Sequence, residues 1–591
     1  TLGNGFLDGE LLQLLTGSND ASGVIRHSSG IGDDASRLTQ QYYAEILHIV
    51  YRILFLLFAE QRGMMPGRDS LYAESYSIGA LRARAEGDIP RGTRGEARFA
   101  HTDLWEGLKV TFRMVREGVP DLGVFGYDGM LFDEDQTPLL NGSLSFSQEG
   151  GPGRGDSPSP RGGGSGRGIR NSDLLHAIRA LTLIEREGVL QRISYADLGV
   201  EELGSIYESL LDFTPRVTTG PENIDGREIA ANTFFLDPRG SERKTTGSYY
   251  THSSLVNELI KSALLPVMRD RLAAAGLPVI GEDDIGEATA GLLTDYASLT
   301  DEQRSAGEAA LLSIKVCDSA AGSGHFLVKA NNVMGAELAR IRTGDEYPSE
   351  AEIQAAKRDV LAHCIYGVDV NPMAVELCKV SLWINASVRD KPLSFLDHHI
   401  KCGNSLIGAT PELMAEGIPY QAFDQKIVGN DRKTANAIRK RNREERRDFE
   451  KGGGYQPSLF RVTVFEPDGE VWQRYQYVTT MAEEQPQVAR ERYEAYRTAN
   501  EVQRKKLEAD TWTAAFFWPI TEETDWAPTY AEFLQLREEG PEAIPAKALE
   551  QIEALAERYK FFHWHVEFPD VFADDGGFDV MLGNPPWERI K

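Results

Sequence analysis

The sequence predicts an α/β fold built on a parallel sheet, together with a large, mainly helical N-terminal domain. Strand-like and helical segments alternate through residues 255–407, which is typical of a parallel sheet with crossover helices. Residues 44–60 are apolar on most of the circumference of a helix, as expected for the central helix of a bundle. The most apolar part of that helix contains His48 and Arg52 and is too short to cross a bilayer, so we expect neither a membrane contact nor a signal peptide.

Composition and periodicity divide the 591 residues into six segments. A stretch rich in Gly, Pro and Ser cannot bury enough apolar surface to offset its ordering entropy, so we expect a flexible loop inside the helical region. A long polar stretch is interpreted as an insertion between adjacent strands. The predicted segments are 1–148, a helical N-terminal domain; 149–170, the flexible loop; 171–243, the continued helical domain; 244–409, the α/β core; 410–560, the polar, largely helical insertion; and 561–591, the last core strand and the motif after it.

Individual elements can also be assigned within the core and the insertion. Apolar runs bounded by turn residues predict strands, and a period of 3.6 residues predicts helices. We expect strands at 313–317, 364–368, 399–402 and 578–583, and helices at 255–267, 326–341, 372–383 and 487–510.

The formal net charge of −27 at pH 7 argues only superficially against a polyanionic partner. An enzyme that acts on nucleic acid needs a local cationic surface and not a basic whole. Residues 432–447 contain eight Lys and Arg residues and supply such a surface. Glu444 and Glu445 interleave with them, so both phosphate contact and a solvated charged helix stay open.

The four cysteines, Cys317, Cys364, Cys378 and Cys402, lie in the core without the CxxC or histidine pairing of zinc sites. We therefore expect reduced, buried thiols in a cytoplasmic protein, and no metal site.

The segment from Asp318 to Phe326 reads Asp-Ser-Ala-Ala-Gly-Ser-Gly-His-Phe. It follows a predicted strand and so begins at the carboxyl edge, where open α/β sheets bind ligands. Gly322 and Gly324 permit a close backbone approach that a side chain would block. The helix N-terminus beyond them offers free amides to a carboxylate group. Alone, the segment is explained equally well as a structural glycine turn.

Polar side chains follow the next two predicted strands. Asp369, in Gly-Val-Asp-Val-Asn, could accept hydrogen bonds from both ribose hydroxyls of a nucleoside. Asn404 could hydrogen-bond an adenine ring with both faces of its amide, or it could be a simple turn residue. The order and spacing of the three segments predict a nucleoside site.

The tetrapeptide Asn584-Pro585-Pro586-Trp587 follows the last predicted strand. An exocyclic amine on an aromatic base is a poor nucleophile because its lone pair is delocalised into the ring. The side-chain oxygen of Asn584 and the carbonyl of Pro585 could accept the two amine hydrogens and localise that lone pair. Pro586 stiffens the loop, and Trp587 offers a flat face to a base taken out of its helix. A proline turn with a core tryptophan is the alternative.

Upstream of the core, the segment Thr-Thr-Gly-Ser-Tyr-Tyr-Thr at 245–251 carries small residues and hydroxyls. These could wrap one end of a bound cofactor. Without the other motifs the segment would be interpreted as a loop.

In this order, the five elements resemble the gamma-class amino-methyltransferases, above all the large methylases of Type IIG restriction-modification systems and their relatives in BREX and DISARM phage defence. The resemblance implies a Rossmann-like class I S-adenosylmethionine-dependent methyltransferase core and methyl transfer to N6 of a flipped-out adenine in double-stranded DNA. His252 stands where the family usually has proline, and Ala321 and His325 stand where cysteine and asparagine are common. The residues implied for cofactor binding are Thr246, Gly247, Tyr250, Thr251, Asp318, Ala320, Gly322, Gly324, Phe326, Asp369, Asn371, Asn404 and Leu406, and those implied for catalysis are Asn584, Pro585, Pro586 and Trp587.

In that family the sheet continues beyond the catalytic strand and is followed by a target recognition domain, whereas these residues stop at Lys591. We therefore expect a core that is incomplete at its C-terminal end, and either a missing recognition domain or further subunits of a defence system. Other hypotheses are a non-catalytic DNA-binding or assembly subunit that keeps the fold, and a methyltransferase acting on cytosine N4 or on a protein glutamine.

Overall fold

The structure is a computed structural model of the chain, and the following account concerns the residues that it describes. These residues are 2–7, 9–16, 31–87, 101–127, 130–141, 168–186, 188–196, 199, 202, 204, 213–224, 226–237, 251–284, 291–388, 391–423, 430–451, 473, 475–478, 485–572 and 576–585. Most of the predicted loop at 149–170 lies outside them, as do Thr246, Gly247, Tyr250, Pro586 and Trp587.

The chain divides into two compact units. Unit 1 comprises Thr1–Tyr250 and Ser387–Leu393, and unit 2 comprises Thr251–Ala386 and Ser394–Lys591. The predicted core, insertion and last strand therefore all fall in unit 2. The finer division into six segments stays a prediction.

Unit 1 contains one long helix, α3, whose apolar residues are mostly buried, as predicted for residues 44–60. The described α-helices of this unit are α1 (Leu2–Gly5), α2 (Gly9–Thr16), α3 (Ile31–Gln61), α4 (Leu71–Ser75), α5 (Ile78–Glu86), α6 (Asp103–Glu117), α7 (Pro138–Asn141) and α8 (Asn171–Thr182). By length and composition, Ala35–Gln61 is the one described helix able to cross a membrane, but most of it is buried inside the protein.

The buried polar side chains of α3 have partners within unit 1. Glu45 accepts from the backbone amides of Leu139 and Leu140 at 3.2 and 3.0 Å. Glu60 accepts from the first two amides of α5, at 2.7 and 2.9 Å, and so caps that helix. The helix is thus apolar where it packs and polar where other backbones end against it.

The prediction that residues 171–243 continue as helix is wrong beyond α8. Six short strands follow: β1 (Leu183–Arg186), β2 (Val189–Arg192), β3 (Thr214–Val217), β4 (Glu222–Ile224), β5 (Arg227–Ile229) and β6 (Phe234–Asp237). They pair antiparallel as β1–β2, β3–β6 and β4–β5. Two-residue loops join β1 to β2 and β4 to β5, and Gly188 and Gly226 have φ of 78° and 80°. The dipeptide Asp225-Gly226 is a strong hairpin signal that outweighs helical propensity.

Unit 2 contains a four-stranded parallel sheet of β7 (Val316–Asp318), β8 (Ile365–Asp369), β9 (Ile400–Cys402) and β10 (Val580–Leu582). The strand order is β10-β7-β8-β9. All three pairings are parallel, and the register sets Leu582 beside Asp318, Asp318 beside Gly367, and Asp369 beside Cys402. The predicted α/β class with a parallel sheet is confirmed.

Helices connect these strands and continue through the insertion. They are α9 (Ser253–Leu259), α10 (Leu265–Ala274), α11 (Asp301–Leu312), α12 (His325–Thr343), α13 (Glu350–Cys364), α14 (Pro372–Ala386), α15 (Pro411–Ala415), α16 (Arg432–Lys451), α17 (Pro486–Arg497), α18 (Asn500–Ala514), α19 (Tyr530–Glu539), α20 (Ala546–Tyr559), α21 (Trp564–Glu567) and α22 (Pro569–Phe572). A π-helical turn at Ile260–Leu264 joins α9 to α10.

The two faces of the sheet are covered by different parts of the chain. Cys317, Tyr366 and Val368 form a buried cluster with aromatic residues from 562 to 578, which include α21 and α22. On the opposite face, a Cβ placed on Gly367 would lie 2.8 Å from Leu327 of α12. The segment just before the last strand is therefore one of the two layers of the core, a role that its short sequence did not predict.

Three strand boundaries differ from the predictions. Ser313 and Cys364 each lie at the end of a helix, and the strands begin at Val316 and Ile365. The strands also include Asp318 and Asp369, because backbone pairing continues to the first polar residue. The helix predicted at 487–510 is two helices, α17 and α18, separated at 498–499.

The interpretation of 410–560 as an insertion between adjacent strands is corrected by the topology. The strands β9 and β10 follow one another along the chain but lie at opposite edges of the sheet. The intervening chain has its own buried cluster, which includes Phe423, Trp512, Phe533 and Ile552. It is a packed helical layer, and after it the chain returns to the far edge of the sheet.

Candidate cofactor and catalytic site

The four parallel strands end at the same edge of the sheet, and a predicted site residue lies at or just beyond each end. Asp318 and Asp369 close β7 and β8, whereas Asn404 and Asn584 follow β9 and β10 by two residues. The backbone amide of Gly403 donates to the carbonyl of Asp369 at 2.9 Å, which ties the third strand end to the second. The structure thus brings together motifs that are up to 266 residues apart in the chain.

The glycine turn after β7 is fastened to β8. The amide of Ala321 donates to the carbonyl of Val368 at 2.9 Å, and the amide of Gly322 donates to Oδ2 of Asp369, also at 2.9 Å. Gly322 and Gly324 have φ of 53° and 85°, conformations that glycine adopts without strain. A Cβ on Gly324 would approach Sγ of Cys378 to 2.9 Å, so the turn needs glycine there for space as well.

Asp318 is almost completely buried. Its Oδ1 accepts from the amide of Ala320 at 3.0 Å, while Oδ2 has no hydrogen-bond partner among the described residues. Burial raises the pKa of Asp318 to about 7; the Ala320 hydrogen bond lowers it, and the nearby charge of Asp369 raises it further. A buried carboxylate oxygen without a partner is costly, and a cationic donor would satisfy it. The ammonium group of the methionine moiety of S-adenosylmethionine fits this position.

Asp369 is held by three backbone contacts. Its Oδ1 accepts from the amide of Asn371 at 2.8 Å, and its Oδ2 from Gly322 as described above. Burial raises the pKa of Asp369, and the two amide hydrogen bonds oppose that rise. Each carboxylate oxygen keeps a further lone pair, so the oriented group can accept two hydroxyls. This geometry fits the ribose of a nucleoside cofactor.

Asn371 and Asn404 both serve as local turn residues. Oδ1 of Asn371 accepts from the amide of Met373 at 2.9 Å, at the start of α14. Oδ1 of Asn404 accepts from the amide of Leu406 at 3.1 Å. The turn interpretation of Asn404 is therefore present in the structure, and any contact with an adenine ring would use its remaining amide capacity. The Leu406 side chain beside it is 92% exposed.

Asn584 and Thr251 connect two predicted motifs that are more than 300 residues apart. Nδ2 of Asn584 donates to Oγ1 of Thr251 at 3.3 Å. Between Asn584 and β10 lies Gly583, with φ of 144°, and a Cβ there would lie 2.7 Å from Oδ1 of Asp318. Asn584 is itself exposed, and Pro585 beside it is also exposed. The predicted catalytic asparagine thus begins where the chain passes closest to the buried aspartate.

His252, which follows Thr251, has a role that the sequence did not reveal. It is the N-cap of α9, and its Nδ1 accepts from the amide of Ser254 at 3.2 Å. A proline would supply no such acceptor. Phe326, in the first turn of α12, is buried and contributes to the packing of that helix.

Sequence reasoning missed the segment that supports the third loop. The amide of Asn404 donates to the carbonyl of Lys560 at 2.7 Å, and the amide of Phe562 donates to the carbonyl of Ile407 at 2.8 Å. The indole of Trp564 donates to the carbonyl of Ser405 at 3.0 Å. We refer to residues 560–564 as the strap. The aromatic run Phe-Phe-His-Trp was the available signal, although it does not indicate its partner.

His563 links the strap to the insertion. Its Nδ1 accepts from the amide of Ala409 at 3.0 Å, so its Nε2 carries the proton and donates to Asp510 Oδ1 at 2.9 Å. Lys506 donates to the other oxygen of Asp510. Burial raises the pKa of Asp510, but the His563 hydrogen bond and the Lys506 charge outweigh it and leave the pKa below its ordinary value. A helix of the insertion therefore holds the end of the loop that carries Asn404.

Metal ligation and cysteine exposure can be assessed over the described part of the chain. No group of three or more His, Cys, Asp or Glu side chains there is arranged to hold a metal ion. All four cysteines are free; Cys317, Cys364 and Cys378 are buried as expected, but Cys402 is exposed at the end of β9. The prediction of four buried thiols is wrong for Cys402, because that residue closes a strand at the open edge.

A cavity of about 850 Å³ lies among α17, α18 and α20 of the insertion. Lys401, Tyr493 and Glu567 are among its lining residues, and none of the predicted site residues lines it. The cavity is therefore separate from the edge where the strand ends meet.

Comparisons with known proteins agree with the class that this edge suggests. Residues 363–591 match the model of the Eco57I restriction-modification methylase family. The chain is 25% identical over 365 residues to a Methanocaldococcus jannaschii protein named "Putative type II restriction enzyme and methyltransferase", an alignment that covers 59% of this chain and 28% of that protein. The chain thus spans less than a third of the length of this curated relative.

Among solved structures, the chain is similar to the Type IIL restriction-modification enzyme MmeI in complex with DNA. The sequence identity is 13%, the TM-score is 0.34, and the likeness covers 68% of this chain and 40% of that one.

Proposed function

We propose that this chain is a site-specific DNA methyltransferase that transfers a methyl group from S-adenosylmethionine to N6 of a flipped-out adenine, in a bacterial restriction-modification or phage-defence system. The match of residues 363–591 to a restriction-modification methylase family supports the general role. The observation that carries the proposal is the meeting of Asp318, Asp369 and Asn584 at one edge of a parallel sheet, with one buried oxygen of Asp318 unsatisfied.

The Rossmann-like class I interpretation assigns separate ends of the cofactor to the two acidic residues. Asp318 would accept from the ammonium group, and the amides at the start of α12 would face the carboxylate. Asp369, fixed by the Gly322 and Asn371 amides, would accept from the two ribose hydroxyls. Asn404 and Leu406 would border the adenine ring. When bound, the cofactor supplies an electrophilic methyl group on a sulfonium centre.

The residues after β10 would position and polarise the target amine. Asn584 Nδ2 donates to Thr251, which leaves its oxygen as the acceptor end of the amide. That oxygen and the Pro585 carbonyl would each accept a hydrogen of the amine, so that the nitrogen lone pair points out of the ring plane. Such fixed dipoles cost no reorganisation during reaction. Pro586 and Trp587 keep the roles predicted for them, which are stiffening of the loop and stacking on the base.

The first experiment compares Asn584→Ala with Asp369→Asn in cofactor binding and in methyl transfer to DNA. Binding is measured by calorimetry, and transfer by the appearance of N6-methyladenine in digested DNA. We expect Asn584→Ala to reduce transfer by roughly 100-fold or more while cofactor affinity stays within about threefold. Asp369→Asn should weaken cofactor binding by roughly tenfold or more, because a buried charged acceptor is lost.

The product and the binding data separate this proposal from its rivals. Methylcytosine or methylglutamine in place of N6-methyladenine would reassign the substrate. Cofactor binding without transfer, unaffected by Asn584→Ala in a complete complex, would favour a non-catalytic subunit. No cofactor binding by the chain, with or without co-purifying subunits, would remove the basis of the proposal.

Further parts of the system belong to the proposal as well. Double-stranded DNA is the expected partner, and base recognition would come from a target recognition domain or subunit outside these residues. We place the protein in the cytoplasm, where both DNA and the cofactor are available.

A further inference from the structure

The helix α16 (Arg432–Lys451) carries an uneven distribution of charge. Its first twelve residues, 432–443, contain six Lys and Arg residues and no Asp or Glu. All four of its acidic residues follow, within 444–450. In a chain with a net charge of −27, this is a concentrated cationic segment on a surface element.

Part of that charge is paired within unit 2. Arg441 forms ion pairs with Glu445 at 2.6 Å and with Glu532 at 2.7 Å, and Arg446 pairs with Glu450 at 3.2 Å. These contacts fit the interpretation of α16 as a solvated charged helix. They engage arginines in the second half of the helix or next to α19, and they leave another set of cations to be explained.

Three arginines have no carboxylate partner among the residues that the structure describes. They are Arg432, Arg439 and Arg443. At 100° per residue they fall within an arc of about 40°, so they form one stripe along about 16 Å of helix. We call these three residues the arginine stripe. The buried residues Ala435 and Asn442 lie on another part of the circumference.

Two residues of the arginine stripe share one aromatic ring. The guanidinium carbons of Arg439 and Arg443 lie 5.3 and 4.5 Å from the ring centre of Tyr420. Stacking fixes both groups in place and lowers the entropy cost of any contact they make. It also holds two like charges close together, and Nε of Arg439 is buried with no hydrogen-bond partner among the described residues. An anion beside both groups would relieve the repulsion.

We propose that the arginine stripe is a contact surface for the phosphate backbone of duplex DNA. The inference rests on the proposed function, and it adds a part of the chain that recognises no base. Phosphates follow one another every 3.4 Å or so of duplex axis along each strand, so a stripe of about 16 Å spans several of them. Guanidinium groups bind phosphate oxygens in the bidentate manner that such a surface needs.

The test is the salt dependence of duplex binding by the full chain, measured by fluorescence anisotropy between 50 and 200 mM salt. The double variant Arg439→Gln with Arg443→Gln should lower the slope of log affinity against log salt by about 1.8, since each phosphate contact contributes about 0.9. The double variant Arg439→Lys with Arg443→Lys keeps both charges and should keep the slope. This second variant separates loss of charge from loss of stacking on Tyr420.

A matched control removes two charges from another exposed helix. Lys547 and Arg558 lie on α20, and Arg558 also stacks on a tyrosine, Tyr559. Lys547→Gln with Arg558→Gln should leave the slope unchanged. Equal slopes for the unmutated chain and the Arg439/Arg443 glutamine variant would overturn the inference, as would the absence of duplex binding by the unmutated chain at 50 mM salt.

The same preparations distinguish this inference from the proposed function. Methyl transfer that proceeds while the slope ignores the arginine stripe would sink the stripe alone. A slope that responds to the stripe in a chain that neither binds the cofactor nor transfers a methyl group would support the stripe and sink the methyltransferase.

Discussion

Asp318 combines burial, a missing hydrogen-bond partner and proximity to a second carboxyl group. Its pKa is raised to about 7, chiefly because burial disfavours the charged form. In the unfolded chain an aspartate ionises near 3.9. The folded protein therefore holds this proton more tightly, and the stability that the carboxyl group contributes is fully present below about pH 4. That stability is lost as the pH rises through about 7.

We accordingly expect Asp318→Asn to stabilise the protein relative to wild type as the pH is raised from 5 to 8. The amide keeps an oxygen for the Ala320 hydrogen bond but carries no buried charge. The gain in free energy of unfolding reaches at most about 4 kcal/mol, three pKa units at about 1.36 kcal/mol each. Urea unfolding at both pH values measures it, with exposed Asp525→Asn as the control. A difference that does not change with pH would refute the buried charge.

Gly583 joins the last strand to Asn584 at a point where a side chain does not fit. Gly583→Ala would place a Cβ 2.7 Å from Oδ1 of Asp318 and would force a φ of 144° on a residue that disfavours it. We expect a loss of about 1–3 kcal/mol in free energy of unfolding and a loss of cofactor binding. Gly577→Ala is the control, because no described atom lies within 4 Å of its added Cβ. Equal effects of the two changes would remove the steric argument.

At the scale of elements, the sheet edge could be predicted from the sequence to a large extent. Each strand of the core is a short apolar run, and each is followed by a polar residue that ends it. Parallel strands expose their carboxyl ends at one edge, so the order of the motifs alone implied that Asp318, Asp369 and Asn404 would be neighbours. The position of Asn584 beside Thr251 did not follow in this way, because it depends on which edge of the sheet β10 joins.

The strap and the insertion support the loop after β9 through His563. We predict that His563→Asn keeps most of the cofactor affinity, because its amide oxygen can replace Nδ1 as the acceptor for Ala409. His563→Gln, which can reach Asp510 but not Ala409, and His563→Leu should both weaken the affinity by roughly three- to tenfold. Calorimetric titration with S-adenosylmethionine distinguishes the three variants.

His565→Leu serves as the matched control for this series. His565 is buried in the same segment, and burial lowers its pKa to about 3, so it is neutral like its replacement. Its removal should leave cofactor affinity unchanged. If His563→Asn were no better than His563→Leu, the hydrogen bond to Ala409 would not be what positions the loop.

At the scale of the whole molecule, the two compact units differ in what they contain. Every described residue of the candidate site belongs to unit 2. A ligand stabilises only the part of a protein that binds it, by about 2.7 kcal/mol at 100 times its dissociation constant. We expect scanning calorimetry to show two transitions, of which S-adenosylmethionine raises the midpoint of one. A single transition, or an equal shift of both, would mean that the units unfold together.

Secondary structure was predicted well where the periodicity was long and poorly where turns decided the outcome. The helix α3 and the helices flanking the core strands appear within a few residues of their expected positions. The strands after α8 were taken for helix because each is only three or four residues long. In such short segments a glycine at positive φ determines the hairpin, and hydrophobic periodicity has too few residues to register.

The sequence by itself determined the class of the fold, the order of the motifs and the chemical groups available at the sheet edge. These properties are local, since a strand, the turn after it and the helix beyond are encoded within about 30 residues. Only the tertiary structure decided that β10 pairs with β7, that the strap covers one face of the sheet and holds the Asn404 loop, and that Asp318 is buried without a partner for one oxygen. Each of these depends on contacts between residues that are tens to hundreds of positions apart, and the packing energy that selects such contacts leaves no periodic trace in the sequence.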